Sequence, residues 1–319
     1  MSLAEIPAVG LGTWKIPNAS TADVVFKAAS LGYRHFDCAC DYGNEAEVGD
    51  GLARVFTETA VARDDIWVTS KLWNTFHEPQ HVRPAIERTL SDLKLKKLDL
   101  YHVHFPIALK YVAPETRYPP EWNHDPNAPE PRMEPIDVPY IDTWRAMEEL
   151  IKAGLTERIG VCNLGVSQLR DLLTQCRVRP ANLQIELHPR LPQDKLLRFC
   201  RDEGIAVTAF SPLGATSYVG LGMATAEESL LSDPAVGAIA DKHGRTPAQV
   251  LLAWGLGRGT SAIPMSTDAT HLAENLAAAD LNLDAEDAAA LAGLASDRRY
   301  NDPGVFCEAA FGRFYPIFD

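Results

Sequence analysis

Apolar and polar positions follow two alternating patterns along the chain, short apolar runs and longer stretches with helical spacing. The short runs predict eight strands, at residues 8–13, 34–39, 66–71, 98–104, 158–163, 182–187, 206–211 and 261–265. Between them, apolar residues recur every three or four positions, as in helices that bury one face. Strands that are apolar throughout and separated by helices are typical of a parallel sheet with both faces covered.

The helical spacing predicts helices at 20–30, 44–58, 81–93, 141–152, 167–175, 193–203, 235–243, 247–256, 270–279 and 284–294, before an irregular tail. Ser20 or Thr21 is the predicted N-cap of the first helix, and Gly32 lies past its end. Pro84 is expected in the first turn of the third helix, where its missing N–H is harmless. Eight strand–helix repeats predict an α/β fold, a (β/α)8 TIM barrel, as one domain over residues 1–319.

One segment, residues 105–139, interrupts this pattern. It is rich in proline and shows neither the strand nor the helix period. Long irregular segments in a compact domain are usually functional or disordered. The aromatic residues Tyr111, Tyr118 and Trp122 favour an ordered lid or wall. We therefore expect long loops at the face of the barrel that holds the carboxyl ends of the strands.

Charge and cysteine content exclude several classes of partner. The net charge of −13 comes without a basic cluster, which argues against nucleic acid and anionic membranes. No apolar stretch reaches about 18 residues, so no membrane partner is predicted. The start of the sequence has no basic segment, and the six cysteines form no regular framework, which predicts a reducing, cytoplasmic location. Cys38 and Cys40 are interpreted as small buried residues rather than metal ligands, because a second ligand pair with zinc spacing is absent.

Four polar residues lie at or just after three neighbouring strands. Asp37 ends an apolar run, Tyr42 follows it, and Lys71 and His104 end the next two runs. Side chains at these strand ends converge in a barrel. Asp37 and Lys71 are expected to form a partly buried ion pair. The Lys71 ammonium would then favour the Tyr42 phenolate and lower a pKa that is normally about 10.

A phenol tuned in this way can act as a general acid. His104 would donate a hydrogen bond that places a carbonyl oxygen. The alternative interpretation is a structural salt bridge with an incidental tyrosine and histidine. Four such residues on successive strand ends favour the catalytic interpretation.

The motifs around these residues resemble those of the aldo-keto reductases, and the resemblance covers essentially the whole chain. The matching motifs, in family order, are D-x(4)-YGNE-x(3)-G (37–49), TSKLW (69–73), LYHVHFP (100–106), IGVCN (159–163), QIELHP (184–189), AFSPLG (209–214) and IP-x-S…EN (263–275). The resemblance implies Tyr42 as proton donor, Asp37 and Lys71 as its tuning pair, and His104 as the residue that orients the substrate. It also implies hydride transfer from a nicotinamide to an aldehyde or ketone, without a metal.

The resemblance further implies a set of cofactor-binding residues. These are Cys162, Asn163, Gln184, Phe210, Ser211, Leu213, Met265, Ser266, Thr267, Asp268, His271, Glu274 and Asn275. Asn163 and Gln184 would bind the carboxamide, and the glycine-rich loop after Ser211 would cover the pyrophosphate. Cys162 replaces the family's usual serine, and a thiol is a weaker donor. Phe210 replaces the usual stacking tyrosine and keeps the ring face.

Three residues after the last strand bear on the choice between NADH and NADPH. Met265 and His271 stand where the family commonly has Lys and Arg, the two cations that bind the 2′-phosphate. Hydrogen bonds to charged groups contribute roughly 1.5–3 kcal/mol each, so their loss disfavours NADPH. Asp268 could accept from a free ribose 2′-OH. We therefore predict preference for NADH or dual use; the alternative is that Asp268 only caps the helix from Thr270 and that His271 suffices for NADPH.

The expected substrate is a small carbonyl compound. Trp14, Trp73, His104, Phe105 and Asn301 are the predicted substrate-binding residues. The stretches FPIALKYV (105–112), RYPPEW (117–122) and RRYNDP…YPIFD (298–319) resemble the aldose and xylose reductase branch. The implied reaction converts an aldose, such as xylose, to its alditol.

Three other functions remain open at this point. The pocket could accept small aromatic or aliphatic aldehydes instead of a sugar. The chain could also be a non-catalytic family member or a metal-dependent barrel hydrolase, although the intact four residues and the central Lys71 argue against both. The sequence is compatible with a monomer and with a homodimer.

Overall fold

The computed structural model of the protein describes residues 6–318, so residues 1–5 and 319 lie outside the described part. The eight strands are β1 (Leu11–Gly12), β2 (His35–Asp37), β3 (Trp67–Leu72), β4 (Leu100–Val103), β5 (Ile159–Cys162), β6 (Asn182–Glu186), β7 (Ala206–Phe210) and β8 (Ser261–Ala262). The first six helices are α1 (Asn18–Leu31), α2 (Glu45–Glu58), α3 (Pro79–Asp92), α4 (Tyr140–Lys152), α5 (Val166–Gln175) and α6 (Asp194–Asp202). The remaining helices are α7 (Pro234–His243), α8 (Pro247–Gly257), α9 (Ala269–Ala277), α10 (Ala285–Ala292), α11 (Pro303–Phe306) and α12 (Glu308–Phe311).

The strands form one sheet in the order β1 to β8, with parallel pairing between β3 and β4, β4 and β5, and β7 and β8. A parallel bridge between Val9 and Ala262 brings the start of the sheet beside its end. The Gly10 N–H donates to the Ala262 carbonyl at 2.8 Å. This is the pairing that a closed (β/α)8 barrel requires. A Cβ on Gly12 would lie 2.7 Å from the Ile263 carbonyl oxygen, so only glycine allows this approach.

Two predicted details at helix starts are wrong. Helix α1 begins at Asn18, so Ser20 and Thr21 lie in its first turn and are not its N-cap. Both hydroxyls donate to the Pro17 carbonyl at 3.0 Å instead of accepting from N–H groups. Helix α3 begins at Pro79, and the predicted first-turn Pro84 lies in its interior. Pro79 occupies the first position of α3, two residues before the predicted start at residue 81.

The tail is also more regular than expected. It contains α11 and α12, and the Asp302 carboxylate caps α11 by accepting from the Gly304 N–H at 2.9 Å. Among residues 6–318, none of the helices combines the length and the apolar composition needed to cross a bilayer.

The described chain divides into two compact units. The first unit comprises residues 6–12, 27–36 and 184–301, and the second unit comprises residues 13–26, 37–183 and 302–318. The prediction of a single domain stays a prediction. The Asp37, Tyr42, Lys71 and His104 side chains all belong to the second unit.

Segment 105–139, in the second unit, is held by backbone and side-chain hydrogen bonds. Leu109 and Pro135 form an antiparallel bridge, and the Met133 N–H donates to the Ala310 carbonyl at 2.9 Å. The Arg117 guanidinium donates to the carbonyls of Pro120 and Asn123, the latter at 2.6 Å. One partly exposed cation therefore holds a proline-rich turn together, because each of these backbone carbonyls has a charged donor.

Candidate active site

Asp37 and Lys71 form the centre of the site. Asp37 ends β2 and is 1% exposed, and Lys71 lies on β3 and is 0% exposed. The Lys71 Nζ donates to the Asp37 carboxylate, to the Cys38 carbonyl at 2.8 Å and to the Tyr42 hydroxyl at 3.1 Å. All three ammonium donors therefore have acceptors. The ion pair is fully buried, not partly buried as the sequence analysis expected.

The chain between Asp37 and helix α2 places the Tyr42 hydroxyl within hydrogen-bond distance of the Lys71 ammonium. Residues Cys40–Tyr42 form a short 3-10 helix, which ends at Gly43 with a left-handed φ of 69°. The Asn44 amide then donates to the carbonyls of Thr13 and Ile16, at 2.9 and 3.2 Å. Because Asn44 itself is fully buried, these bonds fix the loop that carries Tyr42.

The pKa of Tyr42 differs in direction from the prediction. Burial raises the pKa of Tyr42 above its ordinary value, and this outweighs the opposing effect of the Lys71 ammonium. Burial also disfavours the Lys71 ammonium, but the Asp37 carboxylate reverses this, so the pKa of Lys71 is raised overall. Tyr42 is consequently a protonated phenol beside a permanent cation. That arrangement suits a proton donor whose phenolate is stabilised only once it forms.

His104 follows β4 directly. Its backbone N–H donates to the Leu72 carbonyl at 3.0 Å, and its carbonyl accepts from the Asn163 amide at 2.9 Å. The imidazole ring lies edge-on to Tyr42, with 5.9 Å between the ring centroids. Burial, and then the Lys71 charge, lower the pKa of His104 well below its usual value. The ring is therefore neutral and has one N–H to donate.

Two carboxyl groups close to Tyr42 in sequence, Asp41 and Glu45, were not predicted as part of the site. Burial, with a smaller contribution from Glu121, raises the pKa of Asp41 to about 7. Burial raises the pKa of Glu45 to about 7, although Ser70 and Thr89 donate to it at 2.5 and 3.0 Å. Both residues lie within the YGNE stretch and its flank, but only the fold shows that Glu45 is buried.

Aromatic side chains form a wall beside His104. The Trp73 ring is 5.2 Å from His104 and 6.1 Å from Phe105. Trp122 packs on Trp73 at 4.7 Å and on Phe306 of α11 at 5.9 Å. The structure thus brings the predicted Trp73 and Phe105 together with His104. It adds Trp122, expected only as part of a lid or wall, and Phe306, which lay in the tail predicted to be irregular.

Trp14, also predicted to bind substrate, is partly exposed in the second unit. The Lys15 ammonium lies 4.4 Å from its ring centroid. Its role as a pocket residue stays a prediction.

Two predicted cofactor residues lie at the end of β5 in the second unit: Cys162 is the last residue of the strand, and Asn163 follows it. Asn163 adopts a left-handed φ of 62° and is 2% exposed. Its amide nitrogen donates to His104, whereas its buried Oδ1 has no hydrogen-bond partner within residues 6–318. An unpaired buried acceptor fits the NH2 group of a carboxamide. Burial raises the pKa of Cys162, so the thiol is neutral and offers only a weak donor.

The next predicted cofactor residues lie in the first unit, with Gln184 on β6 and the others at or after the end of β7. Gln184 is 3% exposed, and Phe210, Ser211 and Leu213 are partly exposed. The Ser211 hydroxyl lies 2.7 Å from the Tyr218 hydroxyl, and Ser211 has a left-handed φ of 47°. Both hydroxyls can donate or accept, so Ser211 keeps capacity for a further acceptor.

The segment after β8, which also includes Ser266 and Thr267, is open to solvent. Met265 is 38% exposed, and the side chains of Asp268 and His271 are 58% and 67% exposed. The Asp268 Oδ1 accepts from the Thr270 and His271 N–H groups, at 2.8 and 3.0 Å. Asp268 is therefore the N-cap of α9, which begins at Ala269.

The last predicted residues of this segment are more enclosed. The Glu274 carbonyl accepts from the Gln249 amide at 3.0 Å, and Asn275 is 4% exposed. Asn301, the predicted substrate residue of the first unit, donates its backbone N–H to Glu186 Oε2 at 2.8 Å.

The described residues contain no group of three or more histidine, cysteine, aspartate or glutamate side chains that could hold a metal ion. Cys38 and Cys40 are both buried, and burial raises the pKa of each thiol. Neutral buried thiols are poor metal ligands, because metals bind the thiolate.

Sequence comparison connects this site with known enzymes. The sequence model described as "Aldo/keto reductase family" matches residues 8–296. The chain is 46% identical, over 315 residues, to a probable NAD(P)H-dependent D-xylose reductase of Arthroderma otae, covering 98% of this chain and 94% of the relative. It is 45% identical, over 322 residues, to the corresponding protein of Aspergillus clavatus, covering 98% and 96%.

Solved structures agree with the sequence relatives. An aldose reductase from Schistosoma japonicum superposes with a TM-score of 0.85 at 38% identity, covering 98% of this chain and 95% of that one. An aldose reductase from Giardia lamblia superposes with a TM-score of 0.88 at 36% identity, covering all of both chains. The predicted α/β fold, a (β/α)8 TIM barrel, is confirmed.

Proposed function

The chain belongs to the aldo/keto reductase family, and from this premise we propose that it reduces an aldose, with xylose as the representative substrate, to the alditol using NAD(P)H. The enzyme is an oxidoreductase that converts a carbonyl group to an alcohol. The observation that carries the proposal is the Lys71 ammonium, buried between the Asp37 carboxylate and the Tyr42 hydroxyl.

In the proposed reaction Tyr42 is the general acid. Its O–H donates a proton to the carbonyl oxygen as that oxygen gains negative charge. The phenolate that remains lies 3.1 Å from the Lys71 ammonium, and the Asp37 carboxylate keeps Lys71 protonated. Because the site is buried, the attraction between phenolate and ammonium is stronger than in water. The transferred proton stays on the alcohol, and a second proton, taken from solvent, restores the Tyr42 hydroxyl.

His104 orients the substrate. Its neutral ring has one N–H, which we assign to the carbonyl oxygen that also accepts from Tyr42. Trp73, Phe105 and Trp122 exclude water on one side of this position and contact the carbon skeleton of the substrate. A carbonyl oxygen held by two donors is polarised in the direction that the reaction requires.

NAD(P)H, when bound, supplies the hydride that the carbonyl carbon receives. We assign its carboxamide to the unpaired Oδ1 of Asn163. We retain Cys162, Gln184, Phe210, Ser211, Leu213, Met265, Ser266, Thr267, Asp268, His271, Glu274 and Asn275 as further cofactor-binding residues. NADH is the proposed preferred cofactor, with NADPH also used, because the exposed segment after β8 carries Met265 and His271 where cations would bind a phosphate.

An aldose is proposed as substrate because both relatives compared are named for D-xylose reduction and both solved structures are aldose reductases. A small aromatic aldehyde is the second candidate, and the aromatic wall of Trp73, Phe105 and Trp122 favours it. The two candidate substrates differ in the groups that contact the protein, since a sugar has several hydroxyl groups and an aryl aldehyde has a flat apolar ring.

The experiment is a matrix of initial rates for NADH and NADPH against xylose, glyceraldehyde and benzaldehyde, with chelator present throughout. We expect xylose reduction with both cofactors and a kcat/KM for NADH at least equal to that for NADPH. Reduction of benzaldehyde without xylose would replace the sugar proposal. A chain that turns over no carbonyl compound but binds the cofactor would be a non-catalytic member of the family.

We also propose a cytoplasmic location and a single folded domain. The six cysteines, all free thiols, support a reducing compartment. Unfolding with one transition by both fluorescence and circular dichroism is the expected sign of one domain. The protein is expected to be a monomer or a homodimer, and sedimentation velocity distinguishes the two.

A further inference from the structure

A buried carboxylate at the end of β6 is not used by the proposed chemistry. Glu186 is 0% exposed, and both of its oxygens accept hydrogen bonds. Oε1 accepts from the Tyr300 N–H at 2.8 Å and lies 2.9 Å from His188 Nε2, while Oε2 accepts from the Asn301 N–H at 2.8 Å. Glu186 therefore holds two consecutive N–H groups of a segment that is 114 residues away in sequence.

Tyr300 is enclosed by other rings of the first unit. Its ring lies 5.6 Å from that of Tyr218 at an interplanar angle of 15°, and 5.4 Å from that of His188. The Arg298 guanidinium lies 4.7 Å from the Tyr300 ring centroid, and Arg298 also donates to Glu228 at 2.7 Å. Tyr300 is thus fixed through its backbone by Glu186 and through its ring by Tyr218.

Tyr218 extends this arrangement to a proposed cofactor residue. Its hydroxyl lies 2.7 Å from the Ser211 hydroxyl, and it is 1% exposed. A continuous series of contacts therefore runs from Ser211 through Tyr218 and Tyr300 to Glu186 and Asn301. Each step is a hydrogen bond or a ring stack between buried or partly buried groups, and such packed elements move together rather than separately.

We propose that Glu186 is a positioning residue that couples the cofactor contact at Ser211 to the sugar contact at Asn301. The inference rests on the proposed function, because it takes Ser211 as a cofactor residue and Asn301 as a substrate residue. A cofactor that binds the Ser211 hydroxyl changes the position of Tyr218 and hence of Tyr300. Glu186 transmits the change to Asn301 because its two oxygens hold the adjacent N–H groups. By linkage, each ligand then raises the affinity for the other.

The alternative is that Glu186 only fastens the chain. Both roles predict some loss of stability when the carboxylate is changed. Only the coupling role predicts that the cofactor alters residues 298–301 and that this response needs Glu186.

The test compares Glu186→Gln with a matched control, Glu148→Gln. Glu148 is 1% exposed, and its Oε1 accepts from the N–H groups of Arg177 and Val178, at 2.7 and 2.8 Å. It is thus a second buried carboxylate that holds two consecutive N–H groups, outside the series from Ser211 to Asn301. We expect Glu186→Gln to raise the KM for xylose about tenfold, with kcat within about threefold of wild type, and Glu148→Gln to change neither.

The second readout is amide hydrogen exchange at residues 298–302, with and without NADP⁺ or NAD⁺. We expect the oxidised cofactor to slow exchange there at least threefold in wild type and Glu148→Gln, but not in Glu186→Gln. Equal protection of this segment in all three proteins, or none in wild type, would overturn the inference.

Two further variants keep the test informative if Glu186→Gln does not fold. The Tyr300 hydroxyl is buried without a hydrogen-bond partner in the described chain, so Tyr300→Phe should preserve the coupling. Tyr300→Ala removes the stack on Tyr218 and should abolish the protection. Identical behaviour of these two variants would contradict the proposal.

The outcomes separate this inference from the proposed function. Wild-type xylose reduction without a cofactor response at residues 298–302 refutes the coupling and leaves the reaction intact. A cofactor response that Glu186→Gln abolishes, in a protein that reduces no carbonyl compound, supports the coupling and refutes the reaction. Binding of neither cofactor by wild type refutes both.

Discussion

Two charged regions of the molecule are built in opposite ways. In the second unit, Lys71 and Asp37 are completely buried, and every ammonium donor has an acceptor. In the first unit, the side chains of Asp268 and His271 are more than half exposed. The Asp268 carboxylate accepts from the His271 backbone N–H at the start of α9. Burial makes each charge depend on its partner, whereas an exposed charge is solvated by water.

The difference determines what each region can do. The buried pair has little freedom and acts on one neighbour, the Tyr42 hydroxyl, with a geometry set by β2 and β3. Residues of the exposed segment can be substituted without disturbing the hydrophobic core. We therefore expect catalysis to depend strongly on the first region, and cofactor preference to be adjustable through the second.

The largest effect is expected from Tyr42→Phe, which removes the proton donor and keeps the ring. Turnover of xylose should fall about 1000-fold, since general acid catalysis contributes roughly 100- to 10,000-fold. The dissociation constant for the cofactor, measured by quenching of tryptophan fluorescence, should stay within about twofold. Tyr111→Phe, a ring stacked on His81, is the control and should keep full turnover. Turnover of Tyr42→Phe within about threefold of wild type would exclude Tyr42 as the acid.

Removal of one buried charge should be the next largest change. Lys71→Met leaves Asp37 buried without its cation, which typically lowers the free energy of unfolding by about 3–5 kcal/mol. The matched control is Lys94→Met, whose partner Asp50 is exposed, and there the change should stay within about 1 kcal/mol. Urea unfolding of both variants measures the contrast. Equal losses in the two variants would show that burial does not distinguish the pairs.

Buried carboxyl groups also predict how stability depends on pH. Glu45 has a pKa of about 7 in the folded protein, raised from 4.5. A raised pKa means that the folded state holds its proton more tightly, so the contribution to stability is complete below about pH 4.5. It declines as pH rises to about 7 and stays lost above that value.

The expected loss from Glu45 is about 3 kcal/mol, at about 1.4 kcal/mol per pKa unit. Glu45→Gln removes this titration, so urea unfolding between pH 5 and pH 8 should show a smaller decline than in wild type. Asp41, whose pKa is also raised to about 7, contributes to the decline that remains. A variant with the same pH profile as wild type would show that Glu45 is ionised throughout.

The smallest effect is expected in the exposed segment. Adding cations with Met265→Lys and His271→Arg should raise the kcat/KM for NADPH relative to NADH about tenfold, because two charged donors then face a 2′-phosphate. Leu31→Lys adds a charge at another exposed position of the same unit and should leave the ratio unchanged. A ratio that also stays constant in the double variant would show that this segment does not contact the ribose.

The buried region was the more predictable of the two from sequence. Asp37, Lys71 and His104 end successive apolar runs, and strand ends in a parallel barrel must converge, so their proximity followed from the period alone. The raised pKa of Tyr42 did not, because burial depends on residues far away in sequence. Trp122 and Phe306 illustrate the same limit, since their contact joins segment 105–139 to a tail that has no periodic pattern of its own.

Helix boundaries were predictable only to a few residues. Asp268 capped α9 as one interpretation proposed, because a capping side chain and its two N–H groups are close in sequence. At α1, Ser20 and Thr21 have the same chemistry but donate to a carbonyl, and the sequence does not distinguish the two uses of a hydroxyl. A hydrogen bond from a ribose 2′-OH to Asp268 requires bound cofactor, and the NADH preference stays a prediction.

The Arg117 turn has a consequence for how this reductase could diversify. Its guanidinium binds carbonyls between residues 120 and 124, and backbone carbonyls are present whatever the side chains are. The side chain at position 122 is therefore free to vary while the surrounding backbone keeps its course. New substrate ranges would then be accessible by single substitutions in a preserved frame, with no need to reshape the barrel.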